Sequence, residues 1–118
     1  TIENSYSISS IDAESQVGGI SGNASNSTID KTYYAGSINA LTNNNIGGLV
    51  GNIQSTSLNN SYYNKELASY EIVGYNTNST ISNSDGLTRM SMQNSDNYTN
   101  WDFTNIWQIS VDNYPNLR

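Results

Sequence analysis

The residues of this sequence that could most readily carry out catalysis are two pairs of carboxylates, Glu3 with Asp30 and Asp12 with Glu14. Two carboxyl groups roughly 5–10 Å apart can hydrolyse a glycosidic bond. Glu3 and Asp30 hold equivalent places in the repeat described below, so they would lie on adjacent coils. Both pairs stand among turn-forming polar residues, which favours a solvated surface. We therefore predict no catalytic residue, and we keep a carbohydrate-active enzyme only as an alternative.

Few residues of the chain could bind a metal or a phosphate group or support other kinds of catalysis. Asp96, Asp102 and Asp112 offer oxygen ligands for calcium, but their spacing matches no known calcium-binding loop. The glycine-rich runs 18–22 and 47–51 lack the Lys-Ser/Thr pair of a phosphate loop. The chain has no His and no Cys, which removes the commonest general base, the commonest zinc ligand and thiolate chemistry. We predict no metal and no cofactor.

Composition excludes several partners. The net charge is −6, with 10 acidic and 4 basic residues, whereas nucleic-acid binding needs clustered Lys and Arg. The same balance disfavours anionic membranes, and no apolar run approaches the roughly 18 residues of a membrane span. Asn, Ser and Thr dominate, yet 12 Ile and 9 Tyr recur at regular places. This pattern favours a fold with a narrow core over disorder.

A repeat of 27 to 29 residues organises residues 1–84. The run 2–6, Ile-Glu-Asn-Ser-Tyr, returns as 29–33, Ile-Asp-Lys-Thr-Tyr, and as 58–62, Leu-Asn-Asn-Ser-Tyr. A shorter echo begins at Ile81. Such short alternating runs are typical of strands and not of helices.

Two further landmarks keep the same spacing. Ile11 is matched by Ile38, and the run 17–22, Val-Gly-Gly-Ile-Ser-Gly, is matched by 46–51, Ile-Gly-Gly-Leu-Val-Gly. A degenerate copy lies at 72–74. The main length difference between repeats is an insertion before the second glycine-rich run, Thr42-Asn43-Asn44-Asn45. We expect this insertion to form a surface loop.

Equivalent strands of successive repeats would stack as parallel neighbours about 4.8 Å apart. We therefore predict an all-β fold, a parallel β-solenoid (β-helix) of about three coils. One internal ladder would place Ile2 over Ile29 over Leu58, and another Ile20 over Leu49. An antiparallel β-sandwich would use similar strands but would not need these regular steps.

Glycine and asparagine are expected at the corners of each coil. Gly18-Gly19 and Gly47-Gly48 would turn the chain, because glycine tolerates positive φ and asparagine is the next best residue there. Strict alternation from Ile29 would point Lys31 inward, and a lone buried lysine is costly. We expect a bend at this position, which leaves open the facing of the tyrosines that follow it: Tyr6, Tyr33 and Tyr62.

Two neighbouring tyrosines, Tyr34 and Tyr63, are predicted to be exposed in successive coils. Their rings would form a two-rung ladder. Such a ladder could stack on a glycan or simply cover a strand face, and we favour the second interpretation.

Residues 85–118 are predicted to be a capping segment of the same domain, since the last coil of a solenoid must be covered. Thr88 would N-cap a short helix over 89–93. Burial of one aromatic ring contributes on the order of 2–3 kcal/mol, so this segment would decide whether the chain folds. An aromatic platform for sugars is the alternative role of its bulky residues: Trp101, Phe103, Ile106, Trp107 and Ile109.

The repeats in residues 1–84 resemble the GLUG repeat family, whose signature is apolar-x-Asn-Cys/Ser-Tyr, Gly-x-Val and Gly-Gly-Leu-Val-Gly. Here it is matched by Ile2-x-Asn4-Ser5-Tyr6, Gly36-Ser37-Ile38 and Gly47–Gly51. The first copy departs at Ser21, and the third lacks the double glycine. The tail is similar to segments that close such arrays: Gly86-Leu87-Thr88-x-Met90, Trp101-Asp102-Phe103, Trp107 and Tyr114-Pro115-x-Leu117.

The resemblance implies a bacterial, exported protein, since the family occurs in surface proteins, in adhesins and beside immunoglobulin-A-cleaving metallopeptidases. We expect a non-catalytic structural or adhesive segment, a rigid spacer or binding surface. The alternative is an accessory module of a secreted peptidase or glycan-degrading enzyme with catalysis elsewhere in the parent chain. A host or cell-surface glycan or protein is the expected partner, and the motif supplies no ligand-binding residues. The pattern is already under way at Thr1, so we expect a piece of a longer chain that self-associates through its open N-terminal coil.

Overall fold

The computed structural model describes residues 1–118 and consists mainly of short strands. In chain order the strands are β1 (Ile2–Ser7), β2 (Ile11–Ala13), β3 (Ser21–Ser25), β4 (Thr28–Tyr34), β5 (Ile38–Ala40), β6 (Val50–Gln54), β7 (Ser57–Asn59), β8 (Tyr62–Asn64), β9 (Val73–Thr77), β10 (Thr80–Ser82) and β11 (Asp85–Leu87). The C-terminal part holds helix α1 (Arg89–Met92), a 3₁₀ turn at Ser95–Asn97, and the strands β12 (Trp107–Gln108) and β13 (Asn116–Leu117).

The strands β1 to β11 wind into a solenoid with three faces. One face stacks β1 on β4, and then β7 with β8 on β4, and β10 with β11 on those. The second face pairs β2 with β5, and the third stacks β3, β6 and β9. Every one of these pairings is parallel. The predicted parallel β-solenoid of about three coils is confirmed.

The register follows the repeat. Ile2, Ile29, Leu58 and Ile81 occupy one ladder through successive coils. On the other faces Ile11 pairs with Ile38, and the Ile20 N–H donates to the Leu49 carbonyl at 2.9 Å. The innermost side chains of these ladders are fully buried. The centre of the narrow apolar core holds five fully buried aliphatic side chains: Ile29, Leu49, Val50, Ile53 and Leu58.

The bend expected beside the lysine is present in every coil. Asn4, Lys31, Asn60 and Asn83 take φ values of 49°, 54°, 49° and 49°. One left-handed residue interrupts the alternation of side chains, so Lys31 stays at the surface while the strand continues. Asparagine is the non-glycine residue that enters this region most readily, which explains its recurrence at the bend.

The prediction that glycines take positive φ at the corners is wrong, since no glycine in the chain does so. The second glycine of each pair instead makes room for a core aromatic ring, whereas Gly18 and Gly47 lie against backbone atoms. A Cβ on Gly19 would lie 2.1 Å from Cγ of Tyr34, and one on Gly48 would lie 2.3 Å from Cδ2 of Tyr63. The chain turns at asparagines and other polar residues with positive φ. Glycine is required at positions 19 and 48 because a tyrosine ring packs directly against the backbone there.

Hydroxyl groups link neighbouring coils at the corners. After the bend, the Thr32 N–H donates to Ser61 Oγ at 3.2 Å, and the Ser61 N–H donates to Ser84 Oγ at 3.0 Å. A second corner repeats the arrangement, where the Thr56 N–H donates to Ser79 Oγ at 3.0 Å. A left-handed residue turns the following N–H away from the carbonyl ladder, and a serine or threonine of the next coil accepts it instead.

The C-terminal segment carries the predicted aromatic cap and its short helix. The Thr88 hydroxyl accepts the Ser91 N–H, so Thr88 is the N-cap, and the helix ends at Met92. The cap packs along the side of the solenoid: its contacts run from Tyr62 in the third coil back to Tyr6 in the first. The helical segments of the chain include none that could span a membrane.

Candidate functional site

The tyrosines that follow the bend form an aromatic ladder on the outside of the solenoid. The rings of Tyr6 and Tyr33 are stacked, with centroids 5.0 Å apart and planes 8° apart. Tyr33 in turn lies 6.1 Å from Trp107, and Tyr62 lies 6.3 Å from Trp101. The facing that the sequence left open is therefore outward, and the cap covers most of the ladder. The shared cluster consists of Tyr33, Ala35, Tyr62, Met92, Tyr98, Trp101 and Trp107.

Hydrogen bonds fix the cap to consecutive coils. The Trp101 Nε1–H donates to the Asn60 carbonyl at 2.7 Å in the third coil. In the second coil, the Tyr33 hydroxyl donates to the carbonyl of Pro115 in the cap at 2.6 Å. The Tyr6 hydroxyl of the first coil reaches Asn116 Oδ1 at 3.4 Å. Burial raises the pKa of Tyr33 above its ordinary value of 10.0, so the hydroxyl stays protonated as a donor.

A cleft of about 180 Å³ opens where the cap meets the first coil. Its walls are aromatic and aliphatic side chains together with two side-chain amides, and none of them is charged. The lining residues are Tyr6, Ile8, Tyr33, Asn113, Tyr114 and Asn116. Sequence reasoning missed this cleft because one wall comes from residues 6–33 of the repeat and the other from residues 113–116 of the cap, and no spacing rule links the two.

A wider, shallower groove of about 460 Å³ runs beside the β2–β5 face. Asp12 and Glu14 both line it, so the structure brings this predicted pair to one surface, together with the exposed Leu41. Both carboxylates are exposed to solvent. The lining holds no basic residue, and the groove therefore presents a hydrated acidic surface.

The other carboxylate pair also meets as expected, because Glu3 and Asp30 face each other on adjacent coils. Lys31 Nζ lies 2.5 Å from Asp30 Oδ2 and 4.0 Å from Glu3 Oε1. Asn60 Nδ2 donates to Asp30 Oδ1 at 2.8 Å. Partial burial pushes the pKa of Asp30 upward, but the hydrogen bonds from Lys31 and Asn60 and the Lys31 charge outweigh it and lower the pKa. A general acid needs a raised pKa, and Asp30 is shifted the other way.

The three calcium candidates do not come together as a group that could hold a metal ion. Asp96 and Asp112 are exposed. Asp102 accepts the N–H groups of Thr104 and Asn105, each at 2.9 Å, and these bonds lower its pKa. Asp102 therefore organises a turn of the cap.

The predicted exposed ladder of Tyr34 and Tyr63 is wrong. Tyr34 is 0% exposed and Tyr63 is 5% exposed, and both belong to the solenoid core. Their hydroxyls donate to carbonyls of the backbone, that of Tyr34 to Ser9 at 2.6 Å. Burial raises the pKa of both hydroxyls. The cause is the bend, which shifts the alternation by one residue and turns the second tyrosine of each pair inward.

The chain matches no protein-family model, no curated protein and no solved structure. Its function must therefore be inferred from its own geometry. Two features stand out: a cap that binds successive coils of the solenoid, and an uncharged aromatic cleft where that cap ends.

Proposed function

We propose that this chain is a non-catalytic structural or adhesive segment of an extracellular bacterial surface protein. It acts as a rigid spacer or as the rigid base of a binding surface. One observation carries the proposal: the C-terminal cap contacts Tyr6, Tyr33 and Tyr62, one residue in each of three successive coils.

The cap adds long-range connections to a stack that otherwise has only nearest-neighbour contacts. Solenoid stability is a sum of repeat and neighbour terms, so terminal repeats open easily. Here hydrogen bonds span 41, 82 and 110 residues, from Trp101 to Asn60, from Tyr33 to Pro115 and from Tyr6 to Asn116. Opening one coil then requires breaking contacts to the cap as well, which makes the coils cooperative.

The resemblance to GLUG repeats supports the extracellular, bacterial part of the proposal. The alternative is an accessory module of a secreted peptidase or glycan-degrading enzyme, with catalysis elsewhere in the parent chain. The sequence of the parent chain separates the two, because a metallopeptidase signature or a cell-wall anchor would be visible there.

We further propose that the first coil associates with a second copy of this chain. The outer edge of β1 has no strand partner, and Ile2 on this strand is 36% exposed. The last coil, with β10 at its edge, presents the complementary parallel edge. Stacking of one copy on another would continue the interface that already joins the coils.

Native-state hydrogen exchange of the whole chain tests the rigid-segment proposal. We expect the amides of all three coils to exchange together, and Trp107→Ala to raise their exchange rates in concert. Val111→Ala, at an exposed position of the same cap, is the matched control and should leave the rates unchanged. If Trp107→Ala loosens only residues 85–118 while the coils keep their protection, the cap does not stabilise the stack and the proposal is wrong.

A further inference from the structure

We propose that the cleft between Tyr6 and the cap binds one ring of a neutral saccharide. The inference rests on the adhesive form of the proposed function and names its ligand class. The cleft is lined by three tyrosines, one isoleucine and two asparagines, with no charged group. Aromatic faces pack against the C–H faces of a sugar ring, and amides donate to and accept from its hydroxyls.

The aromatic wall is held in place before any ligand arrives. Tyr6 is 36% exposed, whereas Tyr33, stacked on it, is 1% exposed and anchored to the Pro115 carbonyl. Tyr114 also stacks on Tyr33, with centroids 6.0 Å apart, and its hydroxyl accepts a hydrogen bond from Asn64 Nδ2 at 2.8 Å. Binding on such a wall loses little conformational entropy, because the rings are already fixed.

The amide wall keeps hydrogen-bonding capacity for a ligand. Asn113 Nδ2 donates to the Val111 carbonyl at 3.1 Å, while its Oδ1 accepts no hydrogen bond from the protein. Asn116 makes two long bonds, as acceptor from the Tyr6 hydroxyl at 3.4 Å and as donor to the Tyr114 carbonyl at 3.5 Å. Bonds of this length are weak, so a sugar hydroxyl can replace them at low cost.

Size and charge narrow the ligand class. At about 180 Å³ the cleft is below the roughly 300–1,000 Å³ of sites for drug-sized molecules, which suits a single ring. The chain carries a net charge of −6, and no lysine or arginine lines the cleft. An anionic sugar would therefore meet repulsion without a counter-charge, and a neutral hexose or N-acetylhexosamine is favoured.

The test is an NMR titration of the ¹⁵N-labelled chain with glucose, galactose and N-acetylglucosamine, and with glucuronate as the anionic comparison. We expect at least one neutral sugar to shift the side-chain amide signals of Asn113 and Asn116 saturably, and glucuronate to bind more weakly. Asn113→Ala should weaken that binding by about tenfold, the equivalent of one lost hydrogen bond. Asn113 is exposed, and its side chain bonds only the carbonyl of Val111, two residues away, so the fold should be unchanged.

Tyr75→Ala is the matched control, since Tyr75 is 59% exposed on β9 and lies outside the cleft; it should bind as the parent does. The inference is overturned if no neutral sugar shifts these amides saturably, if both variants lose binding equally, or if glucuronate binds as tightly as the neutral sugars. Hydrogen exchange of the coils is read independently. A stack that exchanges cooperatively but binds no sugar would remove this inference and leave the structural role standing.

Discussion

The backbone N–H of Thr32 donates to the hydroxyl of Ser61, 29 residues later in the chain, at 3.2 Å. A side chain thus replaces a backbone carbonyl in the connection between two coils. The two hydroxyls are also bonded, with Thr32 Oγ1 donating to Ser61 Oγ at 3.0 Å. The arrangement explains why a serine or threonine follows the left-handed residue at this corner: Lys31 is followed by Thr32, and Asn60 by Ser61.

Substitution Ser61→Ala should destabilise the chain by about 1–3 kcal/mol, because Thr32 keeps a fully buried N–H that has lost its acceptor. Urea unfolding followed by tryptophan fluorescence measures the loss. Ser110→Ala is the control, since Ser110 is exposed and its hydroxyl makes no hydrogen bond to the protein. Equal midpoints for the two variants would mean that the corner hydroxyl does not contribute to stability.

A methyl group at Gly48 should also be destabilising. Gly48→Ala places a Cβ 2.3 Å from two ring atoms of Tyr63, and overpacking of a core typically costs about 1–3 kcal/mol. Its φ is not positive, so the cost should come from the ring and not from the backbone. A double-mutant cycle with Tyr63→Ala separates the two: the cost of Gly48→Ala should shrink when the ring is absent. An undiminished cost would point to the backbone instead.

The ladders of the core were predictable, because Ile2, Ile29 and Leu58 recur at nearly constant steps. A fold that stacks successive repeats explains such a regular spacing, since it places equivalent residues on top of one another. The bend was predictable from the cost of burying Lys31. The role of Gly48 was not, since glycine is equally suited to a turn and to close packing, and sequence alone does not say which.

The facing of Tyr34 and the cleft beside the cap were beyond sequence reasoning for different reasons. A bend of one residue reverses the facing of every side chain after it, so placing the bend to within a residue was necessary to place Tyr34. The cleft joins Tyr6 to Asn116, and no spacing rule links a repeat to a tail more than 100 residues away.

Self-association through the first coil predicts a sedimentation coefficient that rises with protein concentration. Ile2→Lys should abolish the rise, since Ile2 lies on β1 and is 36% exposed, and an edge lysine blocks strand pairing. Leu41→Lys is the control, because Leu41 is also exposed but lies beside the β2–β5 groove. A sedimentation coefficient that is constant for the parent chain would eliminate the proposed contact.

Acid should weaken the stack through Asp30. The pKa of this carboxyl in the folded chain lies below the unfolded value of 3.8, so the fold favours the ionised form. The resulting stabilisation is complete above the unfolded pKa and disappears as the pH falls through the folded pKa. Stability from urea unfolding should therefore drop below about pH 4, and Asp30→Asn should be less stable than the parent at neutral pH but lose less on acidification.

Two further groups affect the acid response, Asp102 of the cap and Lys31 beside Asp30. Asp102 also has a lowered pKa, from the N–H groups of Asn105 and Thr104, so some acid sensitivity should remain in Asp30→Asn. Lys31→Met tests the partner: without the ammonium group that lies 2.5 Å from Asp30, the pKa of Asp30 should rise toward its ordinary value and the acid-induced loss should shrink. Asp12→Asn, at an exposed groove position, should follow the parent curve. Identical acid profiles for the parent, Asp30→Asn and Lys31→Met would show that the ion pair at the bend does not couple protonation to folding.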